Sequence, residues 1–319
     1  MDQFQGFLKD ELALVQQHLD EAFTPEGQLM GEVASYVRSL RGKMLRPAFV
    51  CLSARAFGYD GPEAHHARLG ASLELFHVAT LLHDDVIDHA SLRRGRPTVN
   101  DRWGDDVAIL FADYLYATSF DFALTVLRPE IVQVLTRTTR QMTEGEMYQI
   151  EKRGQWLNVE DYLTIIRSKT AYLFSACAGL GALTAQADSD TVRRMFDFGL
   201  QFGMAFQITD DALDYEAQGD AWGKRVGGDL QEGKQTLPLL YTLEQASPSD
   251  REKLVQTLNN GRDFETVHAL VKRYNGIEYS LERAAEFSRN AIDILDKFGD
   301  NESLGILKRL CDGVLVRQA

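Results

Sequence analysis

Two clusters of aspartates share one spacing, and their side chains are the ones in this sequence best suited to metal chemistry. Asp84–Asp88 and Asp210–Asp214 both follow the pattern D-D-x-x-D. Residues four apart lie on one face of a helix, so the carboxylates of a cluster project together and repel one another. A divalent cation removes that repulsion, and oxygen-only ligands favour magnesium or calcium. The predicted metal ligands are Asp84, Asp85, Asp88, Asp210, Asp211 and Asp214.

Each cluster ends a mostly apolar stretch and is followed by basic residues. Leu75–Leu82 precedes the first cluster, and Phe196–Ile208 precedes the second. Arginine presents a planar fork of donors that suits phosphate oxygens. The basic residues behind the clusters are Arg93, Arg94, Lys224 and Lys234. An isolated acidic cluster is often only a solvated helix end, but this repeated arrangement favours magnesium ions that bridge the carboxylates to a diphosphate.

The elements that position these residues are predicted to be helices. Apolar residues recur at helical spacing along nearly the whole chain, and alternating strand-like runs are almost absent. The capping and proline signals predict helices from Pro62 to about Asp88, from Pro129, from Asn158, and from Asp188 or Ser189 to Tyr215. Ser91–Gly95 and Gln218–Lys234 are polar and glycine-rich and are predicted loops. The sequence predicts an all-α protein, a single large bundle of more than ten helices around a central cavity.

Composition narrows the function classes. The 319 residues contain no linker-like stretch, which predicts one domain over residues 1–319. The net charge of −13 argues against non-specific binding to nucleic acid or anionic lipid. The cysteines number three, an odd count, and none lies in a Cys-x-x-Cys pair; together with a polar start that lacks a signal-peptide pattern, this predicts a cytoplasmic protein. Residues 171–187 are uncharged but short for a membrane span, and we interpret them as a buried helix.

In combination, these motifs resemble the trans-type prenyl diphosphate synthases, and the longer-chain octaprenyl and heptaprenyl members in particular. The resemblance covers residues 42 to at least 238. Its segments are Gly42–Pro47, His77, Asp84–Asp88 with Arg93–Gly95, Glu144–Gln149, Lys169–Thr170, Gln207–Asp214 and Gly228–Pro238. One departure lies in the first segment, where Arg41 and Met44 replace residues that the family usually has.

The resemblance implies a reaction and a division of labour. The family joins isopentenyl diphosphate to an allylic diphosphate, with three magnesium ions expected once diphosphate is bound. Side chains expected to stabilise the leaving diphosphate are Arg93, Lys169, Lys224 and Lys234, and those expected to face the carbocation are Thr170 and Gln207. Isopentenyl diphosphate is expected to contact Lys43, Arg46, His77 and Arg94. A homodimer, no nucleic-acid partner and at most transient membrane contact are also expected.

Product length should depend on the residues just before Asp84. Bulky side chains there block chain growth in this family, whereas Ala79 and Thr80 are small. Phe76 and Phe174 are candidates for a deeper wall, or are simply core residues. We therefore expect an all-trans product of more than twenty carbons.

Several alternatives stay open at this stage. A geranylgeranyl or farnesyl diphosphate synthase is the near one, and a non-catalytic subunit of a heteromeric synthase is another. A terpene cyclase or head-to-head synthase would not need Lys43, Arg46 and Arg94. A calcium-binding or structural helical protein would not place basic residues behind each cluster. Residues after about 247 show helical patterning without assignable chemistry.

Overall fold

The computed structural model describes residues 3–40, 42–61, 64–93, 95–216, 227–261 and 263–316. The predicted all-α class, with more than ten helices, is confirmed within these ranges. Residues 1–139, 173–199 and 298–307 form one compact unit, and residues 140–172, 200–297 and 308–319 form the other. The single-domain organisation stays a prediction.

The helices follow one another along the chain with short connections. They are α1 (Gln3–Phe7), α2 (Lys9–Ala22), α3 (Gln28–Ser39), α4 (Leu45–Ala56), α5 (His65–Ile87), α6 (Val99–Trp103), α7 (Asp105–Leu124), α8 (Pro129–Glu151), α9 (Val159–Ile166), α10 (Tyr172–Thr184), α11 (Ser189–Leu213), α12 (Gly228–Gln231), α13 (Leu237–Gln245), α14 (Pro248–Asn259), α15 (Phe264–Arg273), α16 (Gly276–Leu295) and α17 (Glu302–Leu315). A π-helical turn, Arg167–Ala171, joins α9 to α10, and a 3₁₀ turn, Asp296–Phe298, follows α16.

In the first unit, α5 carries the first aspartate cluster at its carboxyl end. Its first two-thirds are almost entirely buried, whereas exposure rises toward Asp88. The helix ends close to the predicted residue, and the Asp88 amide closes the last turn on the Asp84 carbonyl at 2.8 Å. A buried helix therefore delivers carboxylates to the boundary between core and solvent.

The predicted loop after this cluster is in part a hairpin. Strand β1 (Leu92–Arg93) pairs antiparallel with β2 (Arg96–Pro97). Gly95 has a φ of 73° at the turn, a conformation that glycine adopts without steric penalty. Two-residue strands are too short to produce an alternating pattern, so the sequence could not distinguish them from a loop.

In the second unit, the start of α9 agrees with the prediction. The Asn158 side chain accepts from the Asp161 amide at 2.9 Å, and the Asp161 carboxylate accepts from the Asn158 amide at 3.1 Å. This reciprocal capping box fixes the first turn. The π-helical turn that follows lies against α8, where a Cβ on Gly145 would be 2.1 Å from the Ser168 Cβ. Glycine at 145 is therefore required for this close approach.

The uncharged residues 171–187, interpreted from the sequence as a buried helix, contain the buried helix α10. Helix α10, in the first unit, has nearly all of its side chains buried. Within the described ranges, α7 is the one helix long and apolar enough to cross a membrane, a test that core helices of soluble proteins also pass. Cys51, Cys177 and Cys311 are free and buried, and the cytoplasmic location stays a prediction.

Candidate active site

The first cluster divides into one buried carboxylate and two at the surface. Asp85 is 4% exposed, Asp84 is half-buried and Asp88 is exposed. The Arg93 Nε donates to both Asp85 oxygens, at 2.9 and 3.1 Å, and Arg93 Nη2 lies 2.8 Å from Oδ1. The hairpin arginine thus neutralises the buried carboxylate, and its charge is shared with Asp85 before any substrate binds.

The other predicted substrate residues of the first unit lie near the start of α4 and along α5. Lys43 is exposed, and Arg46 is half-buried with its guanidinium carbon 4.9 Å from the centroid of the Phe174 ring. His77 is half-buried on α5. Arg94 lies outside the described residues.

The predicted product-length residues differ in burial. Phe76 is fully buried with its ring edge-on to Tyr116 at 5.0 Å, and Ala79 is fully buried as well. Phe174 is fully buried and edge-on to Phe49 at 5.3 Å. Thr80 is half-buried, which leaves it the most accessible of the four.

The second cluster contains a hydrogen-bonded chain that we call the relay, formed by Thr170, Gln207, Asp211 and Tyr162. The Thr170 hydroxyl donates to Gln207 Oε1, and Gln207 Nε2 donates to Asp211 Oδ1, both at 2.7 Å. The Tyr162 hydroxyl donates to Asp211 Oδ2, also at 2.7 Å. Both Asp211 oxygens are therefore held by protein donors, whereas Asp210 and Asp214 are half-buried.

Burial dominates the electrostatics of this cluster. It raises the pKa of Asp211, and the neighbouring Asp229 and Asp210 carboxylates raise it further, although the two donated hydrogen bonds oppose them. Burial also raises the pKa of Tyr162 well above its usual value, with the Asp211 charge adding to the effect. Tyr162 consequently keeps its proton and serves as a donor. A divalent cation bound here would lessen the repulsion among these carboxylates.

The other catalytic candidate on the π-helical turn is Lys169, whose ammonium lies 2.5 Å from Glu146 Oε2. Its neighbour Thr170 begins the relay, so a cation and a hydroxyl acceptor are adjacent in the chain. π-Helical turns occur frequently at functional sites. This one shifts the register between α9 and α10, and the sequence contains no signal for it.

The segment after the second cluster is tied to Asp214. The Asp229 amide donates to Asp214 Oδ2 at 3.1 Å, and Lys234 Nζ lies 3.2 Å from Asp229 and 2.8 Å from Glu232. Burial lowers the pKa of Lys234, but these two carboxylates outweigh it and hold the pKa above its usual value. Lys224 lies outside the described residues.

The carboxylate oxygens of the two clusters suit magnesium that binds together with a diphosphate. Within the described ranges, no group of three or more potential ligands is assembled to hold a metal ion unaided. Magnesium usually binds through one or two carboxylates together with substrate phosphates and waters, so it does not require such a cage. Asp84 with Asp88, and Asp210 with Asp214, offer hard oxygen donors at four-residue spacing. The metal role of all six aspartates stays a prediction.

Sequence reasoning missed two residues that the structure places beside predicted ones. Tyr162 lies on the apolar stripe of α9, and its spacing predicts a core side chain rather than a partner for Asp211. Glu146 belongs to a segment noted only for its resemblance, and its pairing with Lys169 joins residues far apart in the chain. An aromatic residue with a hydroxyl, seven positions before a predicted catalytic lysine, was the available signal.

Comparisons with known proteins point to one family. The sequence model of the polyprenyl synthetase family matches residues 27–275. A heptaprenyl diphosphate synthase component 2 from Geobacillus stearothermophilus is 38% identical, over 96% of this chain and 95% of the relative. An octaprenyl diphosphate synthase from Escherichia coli is 33% identical, over 91% and 90%. The solved structure of a Caulobacter crescentus polyprenyl synthase, complexed with calcium and isoprenyl diphosphate, matches with a TM-score of 0.93 at 32% identity, over 100% of this chain and 98% of that one.

Proposed function

Because the chain belongs to the polyprenyl synthetase family, we propose that it joins isopentenyl diphosphate to an allylic diphosphate and extends the chain beyond twenty carbons. The protein is a prenyltransferase. The observation that carries the proposed reaction is the placement of Lys169 beside the relay. In this proposal Lys169 serves the leaving diphosphate, and the adjacent Thr170 and Gln207 oxygens face the allylic cation.

The reaction begins when the allylic carbon–oxygen bond breaks and leaves a carbocation and diphosphate. Magnesium, when bound with diphosphate, would act as a Lewis acid on the leaving oxygens. Arg93, Lys169 and Lys234 would add fixed positive charge there. Thr170 and Gln207 would direct oxygen lone pairs at the cation. The double bond of isopentenyl diphosphate then attacks, and a proton is lost to the departing diphosphate.

Isopentenyl diphosphate keeps its diphosphate during this step and needs to be held rather than activated. Lys43 and Arg46 lie just before and within the first turn of α4, and His77 lies on α5. We assign these side chains, together with Arg94, to its diphosphate. Arginine and lysine here would bind without metal, because no charge develops on this substrate's diphosphate during attack.

A long product is supported by small side chains next to Asp84 and by the relatives. Thr80 is four residues before Asp84 on α5, about 6 Å along the helix axis, and is half-buried. Neither Ala79 nor Thr80 itself carries an aromatic ring. The compared relatives are named for heptaprenyl and octaprenyl products, and we propose a product in this range.

One incubation tests reaction and length together. Purified protein is supplied with magnesium, farnesyl diphosphate and isopentenyl diphosphate, and product masses are measured. Products beyond twenty carbons are expected. A series that stops at twenty carbons would favour a geranylgeranyl diphosphate synthase. Intact farnesyl diphosphate after long incubation would overturn the proposal for the chain alone.

We propose that the chain forms a homodimer through α7, which exposes large apolar side chains. Leu110 is 66% exposed and Leu124 57%, and Ile109 adds to the same helix. The relative named as component 2 raises the alternative of a second, different subunit. Light scattering and an activity assay on the purified chain separate the homodimer from the heteromer. An active dimer would support the homodimer, and an inactive monomer would favour a second, different subunit. Cytoplasmic location and transient membrane contact stay predictions.

A further inference from the structure

Tyr162 is a buried residue with a polar function that the reaction above does not use. It is 3% exposed and lies at the end of the relay farthest from Thr170, where its hydroxyl donates to Asp211. The three hydrogen bonds of the relay are all 2.7 Å long. They run from both ends toward the carboxylate, which lies between two donors.

The direction of these bonds decides which atoms face outward. Gln207 turns its Nε2 toward Asp211 and its Oε1 toward Thr170, while Tyr162 donates to the other Asp211 oxygen. The Thr170 hydroxyl then uses its proton on Gln207 and keeps its oxygen lone pairs for another partner. A flipped Gln207 amide would donate to Thr170 and direct the Thr170 proton outward, toward any cation bound there.

We propose that Tyr162 is a positioning residue that fixes the polarity of the relay, so that Thr170 presents lone pairs to the allylic cation. This inference rests on the proposed function, which places the cation at Thr170. Tyr162 and Gln207 donate to one Asp211 oxygen each, which fixes the plane of the carboxyl group between the two donors. Without the Tyr162 hydroxyl, the Asp211 side chain gains rotational freedom, and the Gln207 amide that donates to it loses its fixed position.

The test compares Tyr162→Phe with Tyr148→Phe. Both changes remove a tyrosine hydroxyl that donates to an aspartate in the same unit, but the Tyr148 partner, Asp161, caps α9 and does not belong to the relay. The probe is an alkylammonium analogue of the allylic cation, bound with inorganic diphosphate and magnesium, and compared with its uncharged isostere by calorimetry. Melting temperatures report any general loss of structure.

We expect Tyr162→Phe to weaken binding of the ammonium analogue by about tenfold, at the low end of the effect of removing a hydrogen-bond partner that orients a ligand-contacting residue. Binding of the uncharged isostere and the KM for the allylic diphosphate should stay within about twofold, while kcat falls by about the same tenfold. Tyr148→Phe should change the melting temperature alone. Equal effects of the two variants on the ammonium analogue would overturn the positioning role.

A double variant separates action through Thr170 from a structural effect. Thr170→Val removes the terminal hydroxyl, so adding Tyr162→Phe to it should weaken the ammonium analogue no further. Additive losses would overturn the inference. Should Tyr162→Phe fail to fold, Asp211→Asn replaces it, because an amide there can donate to Gln207 and reverse the relay. Loss of a metal ligand would weaken binding of both analogues alike and overturn the inference, whereas reversal of the relay weakens binding of the ammonium analogue alone and supports it. If the wild-type protein makes polyprenyl products but binds both analogues equally, the inference about Tyr162 is wrong and the proposed function stands. If it makes no product, the proposed function is wrong.

Discussion

The Lys169 ammonium lies 2.5 Å from the Glu146 carboxylate, in a pair whose side chains are 22% and 12% exposed. A lysine assigned to a leaving diphosphate is thus already engaged by an internal carboxylate. If Lys169 binds the leaving diphosphate as proposed, diphosphate competes with Glu146 for this cation, and we expect that competition to weaken diphosphate binding and aid its release.

Glu146→Gln should therefore tighten the binding of inorganic diphosphate with magnesium by about five- to tenfold, or about 1 kcal/mol. The change keeps the side-chain shape and removes the competing charge. Calorimetry gives the dissociation constant directly. Glu144→Gln is the matched control on the same helix, because Glu144 is exposed and pairs with Arg140 instead. Weaker binding in Glu146→Gln would mean that Glu146 chiefly orients the lysine.

The Asp85–Arg93 ion pair should contribute to the free energy of unfolding as well as to substrate binding. Arg93→Ala leaves a buried carboxylate without its partner, a change that is strongly destabilising when both groups are buried. Since the Arg93 side chain is 36% exposed, we expect a smaller loss of about 2 kcal/mol in the free energy of unfolding. Denaturant unfolding measures it. Arg96→Ala, on the other strand of the hairpin, should cost less than about 0.5 kcal/mol.

The double variant Arg93→Ala with Asp85→Asn provides the internal check for this pair. Asparagine at 85 removes the charge that arginine balanced, so part of the lost stability should return. Fully additive losses would show that the ion pair is not what Arg93 contributes.

Local chemistry explains what the sequence could predict. Pro129 begins α8, Asn158 caps α9, and Asp88 follows the last residue of α5, because capping and proline effects act within one turn. The aspartate spacing likewise identified both clusters, since four-residue spacing is a property of any helix. These features need no knowledge of tertiary packing.

The missed features all depend on packing between distant segments. Tyr162 is 49 positions from Asp211, and only the folded unit brings them together. The π-helical turn at Lys169 packs with Ser168 close to Gly145, a contact between distant segments that no local pattern encodes. Sequence could therefore identify the charged groups but not the partners that hold them before substrate binds.

Stability should fall in mild acid because of His66. Its ring is buried 4.5 Å from the Tyr59 ring, and burial lowers its pKa below the usual 6.5, although Glu11 opposes this effect. In the unfolded chain His66 is protonated as the pH falls through about 6.5, whereas in the folded protein it stays neutral until a lower pH. The free energy of unfolding is therefore fully retained above pH 6.5 and decreases below it, down to the lowered folded pKa.

The slope from this one group is at most about 1.4 kcal/mol per pH unit. Denaturant unfolding between pH 8 and pH 5 measures it, and His66→Gln should reduce the slope relative to wild type. An unchanged slope in the variant would assign the acid sensitivity to other groups.

Product length should respond to Thr80 more cleanly than to Ala79. Ala79→Phe is expected to shorten the product, but Ala79 is fully buried, and overpacking a core site costs about 1–3 kcal/mol. Thr80 is half-buried, so Thr80→Phe can add a ring with less strain. If the growing chain passes this face of α5, the mass distribution should shift down by at least one five-carbon unit.

Val78→Phe is the control for this experiment. Val78 is also half-buried but points about 200° around the helix from Thr80. The same added volume there should leave the product masses unchanged, because the opposite face of α5 would not meet the chain. Shortening by Val78→Phe, with wild-type masses from Thr80→Phe, would place the growing chain along the other face and remove Ala79 and Thr80 from the product-length determinants.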